Sequence, residues 1–146
     1  MTNKKEKLEK PITLCMADIH KLFYERIKAS CKRRGLNSTY IKIVMLLHKQ
    51  GAASQNDIVK YTLYKAPTIS LTLQKMEQEG LVERTVDKED QRIIKVKLTS
   101  QGEKLDEQLK NVFNEENENI KQLFNNEEYS LLSEYLIRIG NYLKEE

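Results

Sequence analysis

Apolar residues recur at helical spacing at both ends of the chain and alternate strictly only once, near the middle. Ile12, Met16, Ile19, Phe23 and Ile27 form one helical stripe, widened by Cys15 and Leu22. Pro11 suits a first helical position and Gly35 a stop, so a helix is predicted over about 11–34. At 1.5 Å per residue it would span ~35 Å. Ser38 is placed to cap a second helix, TYIKIVMLLHKQ, that ends at Gly51. Ile41, Val44, Met45 and Leu47 crowd it with apolar groups, which predicts a central, buried element. Ser54 opens a short third helix, with Asp57 spaced for a capping box and Ile58 and Val59 as core anchors. A turn at Tyr64–Ala66 leads to a fourth helix that starts at Pro67 and ends at Gly80. LVERTV then reads as a strand and RIIKVKLT as its partner, with Ile94, Val96 and Leu98 on one face. Ser100 and Glu103 form a further capping-box pair. A long helix runs from there through Phe124, and a last one from about Glu127 to Leu143.

Two short helices joined by a tight turn suggest a helix-turn-helix, although the turn contains no glycine. With the hairpin behind them, residues 36–100 have the element order of a winged helix. The fold class expected is mainly α with a small β-hairpin wing. The chain is read as a single domain over 1–146, with residues 1–35 and 101–146 as flanking helices. The last helix aligns Tyr129, Leu132, Tyr135, Leu136, Ile139, Tyr142 and Leu143 on one stripe. A domain of this size cannot cover the stripes of both end helices alone, so a second copy is expected to bury them and form a homodimer.

Composition narrows the class. The 146 residues are 39% hydrophobic and 32% charged, enough apolar material for a core. No apolar run approaches the ~18 residues of a membrane span, and the basic start MTNKKEKLEKP lacks the apolar core of a signal peptide. A cytoplasmic protein with no membrane partner is expected. Charge is uneven. Residues 1–50 hold 12 Lys/Arg and 4 Asp/Glu (+8), residues 51–100 hold 8 and 7 (+1), and residues 101–146 hold 5 and 11 (−6). A basic front suits an anionic partner, although solvated helix faces give the same pattern. The sequence has no Gly-rich phosphate loop, nucleophile elbow or metal motif, so no enzyme, cofactor or metal is expected. The two histidines, His20 and His48, are not spaced as ligands.

The fourth helix carries the candidate DNA chemistry. Ile69, Leu73 and Met76 fall on its core arc, while Thr68, Leu71, Gln74, Lys75 and Gln78 face away. Helices of this type enter the major groove N-terminus first, and Glu77 and Glu79 come late in the helix. Leu71 is placed to meet a thymine methyl, with Thr68, Ser70, Thr72, Gln74 and Lys75 for base and phosphate contacts. Ser54 and Gln55, at the start of the third helix, complete the candidate set on the helices. The hairpin tip adds Lys88, Asp90 and Arg92. If the tip is extended, Asp90 and Arg92 point to the same side, and the carboxylate would orient the guanidinium for a narrow minor groove. An ordinary polar turn would look much the same. The rival to a DNA reader is a winged-helix module for protein contacts, because the middle segment is nearly neutral.

The segments APTISLTLQKMEQEGLVER and DKEDQRIIKVKLTSQG resemble the MarR (multiple antibiotic resistance regulator) family of winged-helix transcription factors. The wing signature of that family, Asp-x-Arg before an alternating strand ending in Leu-Thr-x-x-Gly, is matched by Asp90, Arg92, Leu98, Thr99 and Gly102. The resemblance extends to the element order of nearly the whole chain. It implies a homodimer on double-stranded, pseudo-palindromic DNA, with the fourth helix in the major groove and Arg92 in the minor groove. It also implies repression more often than activation, and release by a small-molecule effector or an oxidant. Cys15, near the start of the first helix where the helix dipole favours a thiolate, is the candidate redox sensor, with Tyr24 and Tyr40 as candidate neighbours. Its place in an apolar stripe equally suits an inert buried thiol. Cys31 is a weaker candidate: Lys32, Arg33 and Arg34 favour its thiolate, but a helix C-terminus opposes it.

Overall fold

The computed structural model describes residues 10–145. Among them the elements run α1 (Ile12–Arg33), a 3-10 turn (Ser38–Tyr40), α2 (Ile41–Gln50), β1 (Ala52–Ser54), α3 (Gln55–Thr62), α4 (Ala66–Gln78), β2 (Val82–Val86), β3 (Ile94–Leu98), α5 (Ser100–Lys121) and α6 (Asn126–Lys144). They fall into two compact units, divided between Lys110 and Asn111 inside α5. The fold is mainly helical with a small antiparallel sheet, as the sequence pattern predicts. No helix among the described residues is long and apolar enough to cross a membrane.

The core of the first unit gathers around α2. Ile41, Ile43, Val44, Leu46 and Leu47 are all buried, with Ile58 from α3, Ile69, Leu73 and Met76 from α4, and Val82 and Val96 from the sheet. Burial of each such side chain contributes roughly 1.5–3 kcal/mol before entropy is charged against it. Met45 departs from expectation: it is 41% exposed. At 100° per residue it shares the narrow outer arc of α2 with Lys42 and Lys49, while Ile43 and Leu46 complete the inner one. Val59 is half-buried and leaves Ile58 as the anchor of α3.

Capping differs from the sequence reading in two places. Asn37, not Ser38, caps the turn before α2, accepting from the Thr39 N–H at 3.0 Å. At α5 the Ser100–Glu103 box gives way to Thr99, whose hydroxyl accepts from the Gly102 N–H at 3.1 Å and donates to the Gly80 carbonyl. In each case the residue one position earlier has the same capping chemistry and precedes the first helical turn, where a side chain can reach the free N–H groups. Ser54 does cap α3, through the Asp57 N–H at 3.0 Å. Asn125 and Glu128 form a complete capping box on α6.

The sheet has the order β1-β3-β2 and contains a strand the sequence did not announce. β1 is three residues long, pairs Ala53 with Val96, and bridges α2 to α3. The hairpin pairs Val82 with Leu98 and Val86 with Ile94. At its base Gly102 makes the closest approach. A Cβ there would lie 2.0 Å from the Leu81 carbonyl oxygen, so only glycine lets the start of α5 pass the start of β2.

The second unit holds the end of α5 and all of α6. No residue of α6 is buried, and Leu131, Leu136, Ile137, Tyr142 and Leu143 are exposed. In α1 the expected stripe is likewise open at Ile12, Ile19 and Leu22, with Ile27 and Cys31 buried.

Candidate nucleic-acid interface

The helix-turn-helix is made by α3, a three-residue turn and α4. In place of glycine, Leu63 takes the left-handed conformation (φ 60°) and closes α3, its N–H bonding the Val59 carbonyl at 3.0 Å. Thr62 is buried just before it. Its hydroxyl donates to the Ile58 carbonyl at 2.7 Å and accepts from the Tyr64 N–H at 3.3 Å, which fixes the path of the turn. Pro67 then sits in the first turn of α4, where its missing N–H costs nothing.

With Ile69, Leu73 and Met76 fully buried, α4 has one possible rotation about its axis. That rotation leaves Thr68, Leu71, Gln74, Lys75 and Gln78 exposed, the face expected from the sequence. Leu71 is 67% exposed. Ser70 and Thr72 are half-buried, and the Thr72 hydroxyl donates to the Thr68 carbonyl at 2.8 Å. The late acids of α4 are engaged. Glu77 Oε2 accepts from Arg84 Nε and Nη2 at 2.9 and 2.7 Å. Glu79 accepts from the Tyr40 hydroxyl at 3.1 Å and lies 4.0 Å from the Lys75 ammonium. Burial, reinforced by Glu79, pushes the Tyr40 phenol up to about 12, so it remains a donor. The Arg84–Glu77 and Tyr40–Glu79 contacts went unseen in the sequence, because the partners lie on different elements and their spacing carries no period.

The wing tip is a turn rather than an extended strand, which corrects the expected placement of Asp90 and Arg92. Asp87 accepts from the Glu89 N–H at 2.8 Å and, at 3.4 Å, from that of Asp90. Those N–H groups hold its carboxyl below the usual range. Asp90 in turn accepts from the Arg92 N–H at 3.0 Å, and its carboxylate lies 3.9 Å from the guanidinium Nε. The carboxylate thus orients the backbone of Arg92 more than its charge. The Arg92 side chain is 95% exposed, and Lys88 is exposed beside it.

Arg92 shares a cleft of about 340 Å³ with Ser54, Gln55, Asn56, Asp57 and Lys60 from the start of α3. The wing and the α3 N-terminus are therefore adjacent. The Gln55 amide oxygen is buried without a hydrogen-bond partner. The Lys42 ammonium lies 5.6 Å from the Tyr24 ring and 5.2 Å from the Tyr64 ring, joining α1 to the α3–α4 turn. Burial, with Tyr64 beside it, pushes the Tyr24 phenol up to about 12.

The cysteines lie elsewhere. Cys15 is half-buried, with its thiol 3.9 Å from the Lys10 carbonyl oxygen. Cys31 is fully buried, and that burial pushes its thiol up, away from the reactive thiolate. Among the described residues no three His, Cys, Asp or Glu side chains are grouped to hold a metal.

A buried three-helix core, a helix presented outward behind a tight turn, and a charged hairpin beside it define a winged helix-turn-helix of the kind that regulates transcription. Comparison with known proteins agrees. The sequence model of the MarR family matches residues 36–94. The HTH-type transcriptional regulator FarR of Neisseria gonorrhoeae is 31% identical over 99 residues, covering 68% of each chain. Apo wild-type MarR from E. coli superposes with a TM-score of 0.81 at 15% identity, over 89% of this chain and 96% of that one. The MepR–DNA complex of S. aureus superposes with a TM-score of 0.71 at 23% identity, over 92% and 99%. At such identities the two structures speak to fold alone. The chain belongs to the MarR family. It is a transcriptional regulator and not an enzyme.

Proposed function

We propose that this chain is a homodimeric repressor that reads a pseudo-palindromic operator with α4 in the major groove and Arg92 of the wing in the minor groove. The observation that carries the reading is the exposure of the polar and apolar side chains on α4 beside a wing whose arginine stands almost wholly in solvent. Residues 1–35 and 101–146 supply the dimer contacts, and residues 36–100 the DNA reader. The open apolar faces on α1 and α6 support this division, since burying them needs a second surface. MepR, whose DNA complex shares the fold, supports double-stranded DNA as the partner. Ser54 and Gln55, at the cleft with Arg92, are positioned for phosphate contacts that set register, while Thr68, Ser70, Leu71, Thr72, Gln74 and Lys75 meet bases and flanking phosphates. Lys88 adds charge at the wing tip, and Asp90 fixes the backbone of Arg92.

The test is fluorescence anisotropy on an operator recovered from fragmented genomic DNA. Arg92→Ala is expected to weaken binding about tenfold and to lower the salt slope by about one. A module for protein contacts would recover no operator, and equal affinity of Arg92→Ala and wild type would remove the wing from the interface. Release by a small effector or an oxidant belongs to the same reading, with Cys15 as the oxidant's target. Under peroxide, wild type is then expected to leave the operator and Cys15→Ser to stay. If both leave, Cys15 is not the switch.

A further inference from the structure

The turn that launches α4 is held from its flanks. Leu63 stands in the left-handed region (φ 60°), where a leucine does not settle unaided. Two residues later Lys65 is the N-cap of α4, and its side chain caps nothing. Between them lies Tyr64. Its N–H is held by the Thr62 hydroxyl at 3.3 Å, and its ring lies 5.2 Å from the Lys42 ammonium. Backbone and ring are thus both engaged at the residue before the N-cap.

Lys42 reaches that ring from α2, and its ammonium also lies 5.6 Å from the Tyr24 ring of α1. Both distances are inside the range at which an ammonium is drawn to an aromatic face. Tyr24 is itself anchored. His20, one turn earlier in α1, stacks on it with ring centres 6.3 Å apart, and the Lys28 ammonium, one turn later, lies 5.4 Å from its ring. Burial, with Tyr64 beside it, holds the Tyr24 phenol up at about 12, so the ring meets Lys42 uncharged. Lys42 is half-buried, which strengthens such a contact over one in open water. One side chain therefore joins three elements: α1, α2 and the α3–α4 turn.

We infer that Lys42 is a positioning residue for α4: held between Tyr24 and Tyr64, its ammonium sets the turn and hence the placement of the α4 N-terminus. This rests on α4 being the base-reading helix, whose N-terminal residues enter the groove first. Lys42 need touch no base. It raises the fraction of molecules in which α4 is ready to dock, and apparent affinity follows that fraction.

The experiment is fluorescence anisotropy of the full chain on the operator recovered with wild type, over a series of salt concentrations. Lys42→Gln is expected to weaken binding roughly fivefold with the salt slope unchanged, and Lys42→Arg, whose guanidinium also stacks on rings, to bind as wild type does. Tyr64→Leu should lose a similar factor and Tyr64→Phe little. Lys42→Gln combined with Tyr64→Leu should be no worse than either alone. Lys42 is only half-buried, so Lys42→Gln and its salt slope decide the matter even if urea unfolding shows that Tyr64→Leu does not fold. A lysine that contacts phosphate directly would lower the slope by about one on removal, and its loss would add to that of Tyr64→Leu. Either result, or a Lys42→Gln variant that binds like wild type, would overturn the inference and leave the DNA-reading proposal standing. A wild type that recovers no operator would overturn both.

Discussion

The winged region and α6 follow the same apolar grammar and meet opposite fates. In the winged region a stripe becomes a core: Leu73 and Met76 are fully enclosed. In α6 a stripe of equal regularity encloses nothing, and Leu136 remains 53% exposed. Periodicity states that a helix has a face to bury. It does not state whether the covering surface belongs to the same chain. The contrast separates the face this chain covers from the face it leaves open.

The sharpest way to break the contrast is to cut one leucine on each side. Leu73→Ala should cost about 2–5 kcal/mol in urea unfolding, because it opens a cavity in the core of the first unit. Leu136→Ser with Leu143→Ser should leave the unfolding of the winged region nearly unchanged. In light scattering the pair should convert a species of about twice 17.2 kDa into one of a single chain mass. A wild-type monomer would remove the assembly account of the flanking helices.

Gly102→Ala comes next. Its Cβ would collide with the Leu81 carbonyl, and backbone must move to admit it. About 2–3 kcal/mol of destabilisation is expected, read as a lowered Tm. A variant as stable as wild type would mean that the junction has slack.

The smallest expected effect concerns the wing tip. The carboxyl of Asp87 is held below its ordinary value of 3.8 by the Glu89 and Asp90 N–H groups. Because the folded form has the lower pKa, this stabilisation is present above that ordinary value. It is lost as pH falls through the depressed one. Amide exchange at Glu89 and Asp90 should accelerate over that acidic window, corrected for intrinsic rates, and Asp87→Asn should abolish the step. The α2–α4 core should show no matching change.

Much of this was legible in the sequence. Helices α1 to α6 and the hairpin follow from apolar spacing, and the outward face of α4 follows from the three residues that must go inward. What was missed shares a cause. β1 is three residues that become a strand only through pairing with β3. Asn37 and Ser38, like Thr99 and Ser100, are adjacent residues with equal capping chemistry, and backbone conformation decides between them. The bend at the wing tip is set by Asp87 and Asp90, whose side chains accept N–H groups in place of a strand partner. Composition shows the Arg84–Glu77 clamp only as two more surface charges.

The junction at Thr99 has a mechanical consequence. Its hydroxyl holds the Gly80 carbonyl at the end of α4 and the Gly102 N–H in the first turn of α5, while its own N–H holds Leu81 at 3.0 Å. With Gly102 pressed on the Leu81 backbone, this is a bearing with almost no play. A twist applied to the first turns of α5 is handed to the trailing end of α4 instead of being absorbed between them. The long helix then acts as the shaft and α4 as the part it turns.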